Sequence, residues 1–139
     1  MESEVNTITH VIYYRVILGD TDAGGIVYHP RYLEMAERGR NEVMLTLGLD
    51  IHKLNVEDGY IMMIRSCNMK FRNAALLADR LSIQTHIKKL SMASSTWISV
   101  IRRGATEICT AHVEIICVDR GLQRPVLFPE HVLNAFRSA

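Results

Sequence analysis

Acidic residues, glycines and a histidine crowd together directly before the longest helix pattern of the chain, in residues 19–40 (GDTDAGGIVYHPRYLEMAERGR). Pro30 suits the first turn of a helix, where its missing N–H is not needed. The N–H groups at that helix start carry a partial positive charge, so they could hold a developing oxyanion. Asp22 stands a few residues earlier, and a carboxylate beside such donors can act on a carbonyl carbon as a general base or a nucleophile.

Other residues of this segment indicate that a second molecule approaches it. Gly24 and Gly25 permit positive φ angles and a close approach to the backbone. Gly39 lies inside the helix pattern, where glycine costs about 1 kcal/mol relative to alanine, so it marks close packing or ligand approach. Glu37 lies two turns into the helix, near its apolar stripe.

Most of these residues also have a purely structural explanation. Asp20 and Asp22 could be ordinary turn residues, because short acidic side chains commonly hydrogen-bond within turns. Glu37 could pair with Arg40 or Asn41 along the helix. The residue types alone therefore leave a catalytic and a structural interpretation open.

Composition and charge narrow the class of protein. The 139 residues suit a single domain covering residues 1–139, and a hydrophobic content of 48% is enough for a core. The net charge of +1 gives no support for nucleic acid or a membrane surface as a partner. The polar N-terminus does not resemble a signal peptide, and no apolar run is long enough to span a bilayer. Cys67, Cys109 and Cys117 lack CxxC spacing, which predicts reduced, buried thiols in a cytoplasmic protein.

Hydrophobic periodicity predicts one strand, one long helix and then four antiparallel strands. The helix begins at Pro30 and its apolar stripe repeats to Leu47, and a short amphipathic helix begins at Pro129. The strands are predicted over residues 7–18, 66–72, 81–88, 94–103 and 106–119. The long helix must bury its stripe against a sheet, so we predict an α+β fold in which a five-stranded antiparallel sheet wraps around one central helix. The other sheet face, partly apolar around Trp97, should be covered by a partner subunit or by the C-terminal tail.

The acidic segment resembles the signature of the hotdog-fold acyl-CoA thioesterases, in the branch of the 4-hydroxybenzoyl-CoA thioesterases and the YbgC-like enzymes. The similarity is dense over about twenty residues, and the strand order fits the hotdog fold nearly end to end. The matching positions are Asp20-Thr21-Asp22, Gly25-Ile26-Val27-Tyr28-His29, Tyr32-Leu33, Glu37 and Arg40. The resemblance implies a hydrolase that acts on an acyl-CoA substrate in the cytoplasm.

The resemblance also implies roles for individual residues. The family's catalytic carboxylate falls on Asp22, and its oxyanion donor falls on the backbone N–H of His29, helped by Gly25 or a neighbour. A histidine side chain at His29 is the pattern of the YbgC-like subgroup, where it is expected to assist. Gly25, Ile26, Tyr28 and Glu37 are implied in positioning the oxyanion or the substrate.

One stretch departs from the family pattern. Members usually carry Pro-Ala and Gly-Asp pairs before the third strand, whereas this chain has Asn73-Ala74 and Ala78-Asp79 in FRNAALLADRL. In the family this loop borders the acyl and pantetheine region. The departure therefore bears on acyl preference and leaves the class of activity unchanged.

The remaining motifs bear on CoA binding, cofactors, oligomeric state and an alternative function. Two basic pairs, Lys88-Lys89 and Arg102-Arg103, could contact CoA phosphates, although solvated strand ends are the simpler interpretation. No GxSxG elbow is present and the histidines lack metal-ligand spacing, so we expect no metal and no cofactor beyond the CoA of the substrate. The family's habit of joining sheets edge to edge implies a homodimer or a dimer of dimers. The alternative function is a non-catalytic acyl-CoA-binding hotdog module, which would have no need of Asp22.

Overall fold

The computed structural model describes residues 3–4 and 9–139, and it contains the predicted sheet and long helix. The helices are α1 (Pro30–Thr46) and α2 (Glu130–Ser138), with a 3-10 turn at Leu18–Asp20 and a π turn at Lys53–Glu57. The strands are β1 (Ser3–Glu4), β2 (His10–Arg15), β3 (Tyr60–Phe71), β4 (Arg80–Leu90), β5 (Ser94–Arg103), β6 (Thr106–Asp119) and β7 (Arg124–Val126). The five long strands match the predicted ones in order, and their bounds differ mainly in two places: β2 ends at Arg15 instead of residue 18, and β3 begins at Tyr60, six residues before the predicted start. Residues 7–8 of the first predicted strand lie outside the described residues, and the short β1 and β7 enlarge the predicted five-stranded sheet to seven described strands.

All strand pairs of the sheet are antiparallel. Strands β4, β5 and β6 form a meander, β2 pairs with β4 on one side, and β3 pairs with β6 on the other. The short strands β1 and β7 pair with the ends of β4 and β6. The predicted α+β hotdog architecture is confirmed, and β3 forms one edge of the sheet.

Helix α1 buries its apolar stripe against the sheet, and Gly39 lets it come close. Ala36 and Val43 have no exposed surface in this layer. A Cβ atom built on Gly39 would lie 2.3 Å from Oγ1 of Thr85 on β4, which is too close for any side chain. Gly39 therefore serves close helix–sheet packing, the first of the two roles that the sequence allowed.

The C-terminal tail covers Trp97. Trp97 on β5 is 1% exposed, and its ring meets the ring of Phe136 on α2 edge to face, with 5.4 Å between centroids. Phe136 also contacts Phe128, which precedes the helix. Trp97 also belongs to the same buried cluster as Ala36 and Val43 of α1, so it lies on the helix face of the sheet and the prediction that it lies on the other face is wrong. The chain itself buries this side chain, and Trp97 gives no reason for a partner subunit.

The cysteines do not all follow the prediction of buried thiols. Cys109 and Cys117 on β6 are buried, and burial raises the pKa of these thiols to about 12 and about 11 respectively. Cys67 is exposed, so the prediction is wrong for this residue. The reason is that β3 is an edge strand, which leaves both of its faces more open than an alternating pattern suggests. No helix in the described part of the chain is long and apolar enough to cross a membrane.

Candidate active site

The loop between β2 and α1 is fixed by Asp20, which is 4% exposed. Its carboxylate accepts a hydrogen bond from the Tyr14 hydroxyl, 3.1 Å from either oxygen, and another from the Ile17 N–H at 2.9 Å. Its backbone carbonyl accepts the Tyr28 N–H at 2.8 Å. Burial and this hydrogen bond raise the pKa of Tyr14, which keeps its hydroxyl a donor. Asp20 thus joins both ends of the loop and is a structural residue.

Asp22 has different surroundings, since it is exposed at the tip of the same loop. Its Oδ1 accepts the Gly24 N–H at 2.8 Å, while Oδ2 has no hydrogen-bond partner in the part of the chain that is described. A Cβ atom on Gly24 would lie 3.2 Å from this Oδ1, so glycine lets the carboxylate fold back over the loop. One oxygen of Asp22 is therefore held in place, and the other is left without a partner among the described residues.

Gly25 turns the loop back toward the helix. Its φ of +81° is in the left-handed region that favours glycine. The Gly25 N–H donates to the Asp22 carbonyl at 3.1 Å, and the Asp22 N–H donates to the Ile26 carbonyl at 2.9 Å. The Gly25 amide is therefore engaged inside the turn, where it shapes the loop.

The N–H groups at the start of α1 are nearly all engaged as well. Val27 donates to Ala75, Tyr28 to Asp20, Arg31 to Tyr28 and Tyr32 to His29, in each case to a carbonyl oxygen at 2.8–3.2 Å. Pro30 has no N–H to donate. Over residues 27–32, only the His29 N–H lacks an acceptor among the residues that the structure describes. This donor lies at the positive end of a 17-residue helix, which favours a negatively charged oxygen there.

A cleft of about 260 Å³ opens beside this donor. Ile26, His29 and Tyr32 line it from the loop and the helix, and Phe71 lines it from the end of β3. The imidazole of His29 lies edge-on to the Phe71 ring, with 6.0 Å between centroids. Arg72 and Asn73 add polar groups to the apolar side chains of this cleft, and Asp22 is not among its lining residues. A cleft beside a residue whose N–H lacks an acceptor is the kind of place that can hold a carbonyl group.

The loop after β3 braces the cleft from the other side. The Ala75 carbonyl accepts the Val27 N–H at 2.9 Å, and the Ala75 N–H donates to the Tyr32 hydroxyl at 3.1 Å. Asp79 closes this loop, because its Oδ2 accepts the Leu76 N–H at 2.8 Å and the Arg103 guanidinium at 2.6 Å. Partial burial alone would raise the pKa of Asp79, but the Leu76 N–H and Arg103 hold that pKa below its usual value.

Comparison with known proteins places the chain in a family. Residues 16–136 match the model of the thioesterase-like superfamily, which is most of the chain. The chain belongs to the thioesterase-like superfamily. The acyl-CoA thioesterase YbgC of Haemophilus influenzae is 35% identical to this thioesterase over 122 residues, covering 88% of the chain and 90% of the relative.

Two further comparisons agree with this assignment. The acyl-CoA thioester hydrolase YbgC of Escherichia coli is 30% identical over 124 residues, covering 88% of this chain and 92% of the relative. A probable thioesterase from Bartonella henselae superposes with a TM-score of 0.83 at 33% identity, covering 88% of this thioesterase and all of the other chain. The resemblance seen in the acidic segment is thereby confirmed, and so is the hotdog fold.

Several residues singled out in the sequence lie away from the cleft of this thioesterase. Glu37 is exposed two turns along α1, about 12 Å beyond His29 by helical rise, and it makes no ion pair with Arg40 among the described residues. Lys88 is exposed beside His86 and His112, whose pKa values are lowered mainly by burial and then by this lysine. Lys89 lies on β4, where it pairs in register with Glu4 of β1. Arg102 lies on β5, where its guanidinium donates to the Gln84 side chain.

Of the four basic residues, only Arg103 reaches the cleft region. Besides Asp79, its guanidinium donates to the carbonyl of Ala74, a cleft residue, at 3.1 Å. The sequence offered Arg103 as a CoA contact and did not anticipate its partner Asp79. The family pattern could have pointed to Asp79, since this residue occupies the second position of the Gly-Asp pair.

Ala78, at the first position of that pair, has a left-handed backbone with φ of +69°. Its N–H donates to the Val16 carbonyl at 3.0 Å, and its own carbonyl accepts the Arg15 guanidinium at 2.8 Å. These bonds hold alanine in a conformation that glycine adopts without strain. The departure from the family pattern therefore changes backbone strain at this position.

Proposed function

We propose that this protein hydrolyses acyl-CoA thioesters to a free acid and CoA in the cleft at the start of α1. The observation that carries the proposal is the free His29 N–H beside a loop whose Asp22 keeps one carboxylate oxygen unbonded. The named activities of the YbgC relatives support the substrate class. A non-catalytic binding module would not need this pair of groups.

In the proposed reaction, the thioester carbonyl oxygen lies against the His29 N–H. Asp22 either attacks the carbonyl carbon or removes a proton from a water that attacks it. The negative charge that develops on the carbonyl oxygen is stabilised by the amide and the helix dipole, which are already oriented for it. The C–S bond then breaks and CoA leaves as a thiolate. On the general-base route the proton held by Asp22 passes to this thiolate and the free acid is released directly. On the nucleophilic route water hydrolyses the acyl–Asp22 anhydride, which releases the acid, restores the carboxylate and supplies the proton that the thiolate takes up.

A thioester is a suitable substrate for a site that offers one carboxylate and one backbone N–H donor. The free thiol has a pKa of only about 8.5, so its thiolate leaves without a strong general acid. The His29 imidazole faces the same cleft and is placed to assist binding or proton transfer. The chemistry needs no metal or organic cofactor, and full activity in a buffer that contains a chelator would agree with this.

We further propose that the active form is a homodimer joined through the free edge of β3. This edge strand carries Met63 and Ile64 on its surface at 44% and 37% exposure, with one side of its backbone unpaired in the described chain. An unpaired edge of this length favours pairing with a second copy. Phe71, from the same strand, lines the cleft, so pairing there would complete one of its walls.

The decisive experiment measures thiol release from a panel of aliphatic and aromatic acyl-CoAs. Asp22→Asn keeps an oxygen to accept the Gly24 N–H, so we expect it to fold, but it has no carboxylate. Its kcat should fall by roughly 10²–10⁴-fold on any thioester that the wild type hydrolyses, with a smaller change in KM.

Glu42→Gln is the matched control, because Glu42 is an exposed acid inside α1, more than two turns beyond His29 and away from the loop that carries Asp22. It should keep wild-type turnover. Near-full turnover by Asp22→Asn would contradict the proposed role of the carboxylate. Tight binding of acyl-CoAs without thiol release by the wild type would favour the binding module instead.

A further inference from the structure

Arg40 is a buried cation that lacks a partner. It lies on α1 with 5% of its surface exposed, and no hydrogen bond or ion pair joins its guanidinium to any residue that the structure describes. Its Nη1 is fully enclosed without an acceptor. Burial lowers the pKa of Arg40, and the charge of Glu37 only partly offsets this. A guanidinium stays charged and has five N–H donors, so this arrangement is unfavourable unless something supplies acceptors.

A cavity of about 250 Å³ adjoins Arg40. Its walls are mixed and come from α1, the π turn, α2 and strands β3, β5 and β6. Met44, Leu54, Trp97 and Phe136 supply apolar surface, and Asn41, Asn55 and Tyr60 supply polar surface. A water molecule takes up about 30 Å³ of liquid, so the cavity has room for roughly eight non-hydrogen atoms. The space therefore suits a small apolar body that carries a group able to accept from a guanidinium.

This cavity is separate from the proposed active site. None of the residues that line the cleft at His29 lines the cavity at Arg40. The two are eleven residues apart on α1, which corresponds to about 16 Å of helix. Glu37, the one acid at the cavity, is exposed, so solvent screens its repulsion of an anion.

We propose that the cavity beside Arg40 is a second binding site, for a free monocarboxylic acid of up to about six carbons, since the carboxylate oxygens share the room for roughly eight non-hydrogen atoms. The carboxylate accepts from the planar guanidinium, a geometry for which arginine is suited, and the hydrocarbon body fills the space against Trp97 and Phe136. The proposal is independent of the hydrolysis proposed above, although hydrolysis of a thioester releases an acid of this class.

Hexanoate is the probe, and its binding is measured by calorimetry and by the shift in Tm of the full-length protein. We expect hexanoate to bind and to raise the Tm of the wild type, while hexanol and inorganic phosphate do neither. Arg40→Met should bind hexanoate at least about tenfold more weakly, since the charged acceptor loses its partner. Arg38→Met, an exposed arginine on the same helix, should bind hexanoate as the wild type does.

The ligand-free Tm and the mass from light scattering decide whether a ligand or a second copy of the chain supplies the acceptors for Arg40. If a ligand is the missing partner, Arg40→Met removes an unpaired charge and should have a ligand-free Tm equal to or above that of the wild type. A lower Tm, or dissociation of an oligomer in light scattering, would overturn the proposal in favour of acceptors from a second copy. Equal binding of hexanoate by wild type and Arg40→Met, or of hexanol and hexanoate by the wild type, would overturn it as well. The comparison of ligands on the wild type tests the proposal even if the variant does not fold.

Discussion

At the residue scale, the two aspartates of the site have opposite surroundings although they are two positions apart. Asp20 is buried and accepts hydrogen bonds from Tyr14 and Ile17, whereas Asp22 is exposed with one oxygen free. Asp20→Asn would therefore disturb the fold of the loop, which makes it a poor control for chemistry at Asp22. Two aspartates of one DTD sequence can therefore have different roles, a structural one for Asp20 and the proposed catalytic one for Asp22.

The role of His29 can be divided between its backbone and its side chain. If the His29 N–H holds the oxyanion, His29→Ala keeps that donor and should retain part of the activity. We expect kcat to fall by less than for Asp22→Asn, which is measured on the same acyl-CoA. Complete loss of turnover in a variant with an unchanged melting curve would assign the essential role to the imidazole.

At the element scale, the loop between β3 and β4 carries strain at Ala78. A φ of +69° costs an L-residue such as alanine roughly 1–2 kcal/mol. Glycine at this position would avoid that cost, but it would also have more conformational freedom in the unfolded chain, which offsets part of the gain. Ala78→Gly should therefore stabilise the protein by up to about 1 kcal/mol, which corresponds to a rise in Tm of roughly 3 °C.

Gly48 provides the reciprocal control for this prediction. It has φ of +82°, and a Cβ atom there would meet nothing within 4 Å. Gly48→Ala should lower the Tm by a similar amount through backbone strain alone. A lower Tm for Ala78→Gly would mean that the alanine methyl makes contacts that outweigh its strain.

The ion pair of Asp79 and Arg103 should make the stability of the same loop depend on pH. Because the folded protein lowers the pKa of Asp79, this contribution is fully present above the unfolded value of about 3.9 and is lost as the pH falls through the folded value. Asp79→Asn should therefore have a lower Tm than the wild type at pH 7, and the difference should shrink below about pH 4.

The exposed pair of Lys53 and Asp58 serves as a control for the Asp79 measurement. Lys53 has 56% of its side chain exposed, so solvent screens this pair and Asp58→Asn should change the Tm little. If the difference between wild type and Asp79→Asn stayed constant from pH 7 to pH 3, titration of Asp79 would not contribute to stability.

At the scale of the whole molecule, the edge of β3 predicts association. Light scattering at micromolar concentration should give at least the mass of a dimer. Ile64→Lys places a charge on the edge strand and should shift the population toward monomer, with lower activity if pairing completes the cleft. Leu122→Lys, at a more exposed apolar position in the turn after β6, should leave the mass unchanged. A monomeric wild type would contradict the proposed dimer.

The sequence by itself determined the types and order of the elements and the position of the acidic loop. Helix and strand periods are local, so the stripe of α1 and the alternation in β6 could be read directly from the chain. The pattern was less informative for β3, since an edge strand has one neighbour and its alternation does not report burial. Residues 53–57 and the short strand β7 were missed because neither has a strong period of its own.

Only the tertiary structure decided what the individual polar groups do. Which amide at the start of α1 stays free depends on acceptors far away in sequence, such as Ala75 for Val27. The ion pair of Asp79 and Arg103 likewise joins the loop before β4 to the end of β5, 24 residues further along the chain. Arg40 is buried without a hydrogen-bond acceptor in the described part of the chain, although the residues that line the cavity beside it come from several distant elements. Hydrogen bonds and burial of this kind are non-local, so no spacing within one segment specifies them.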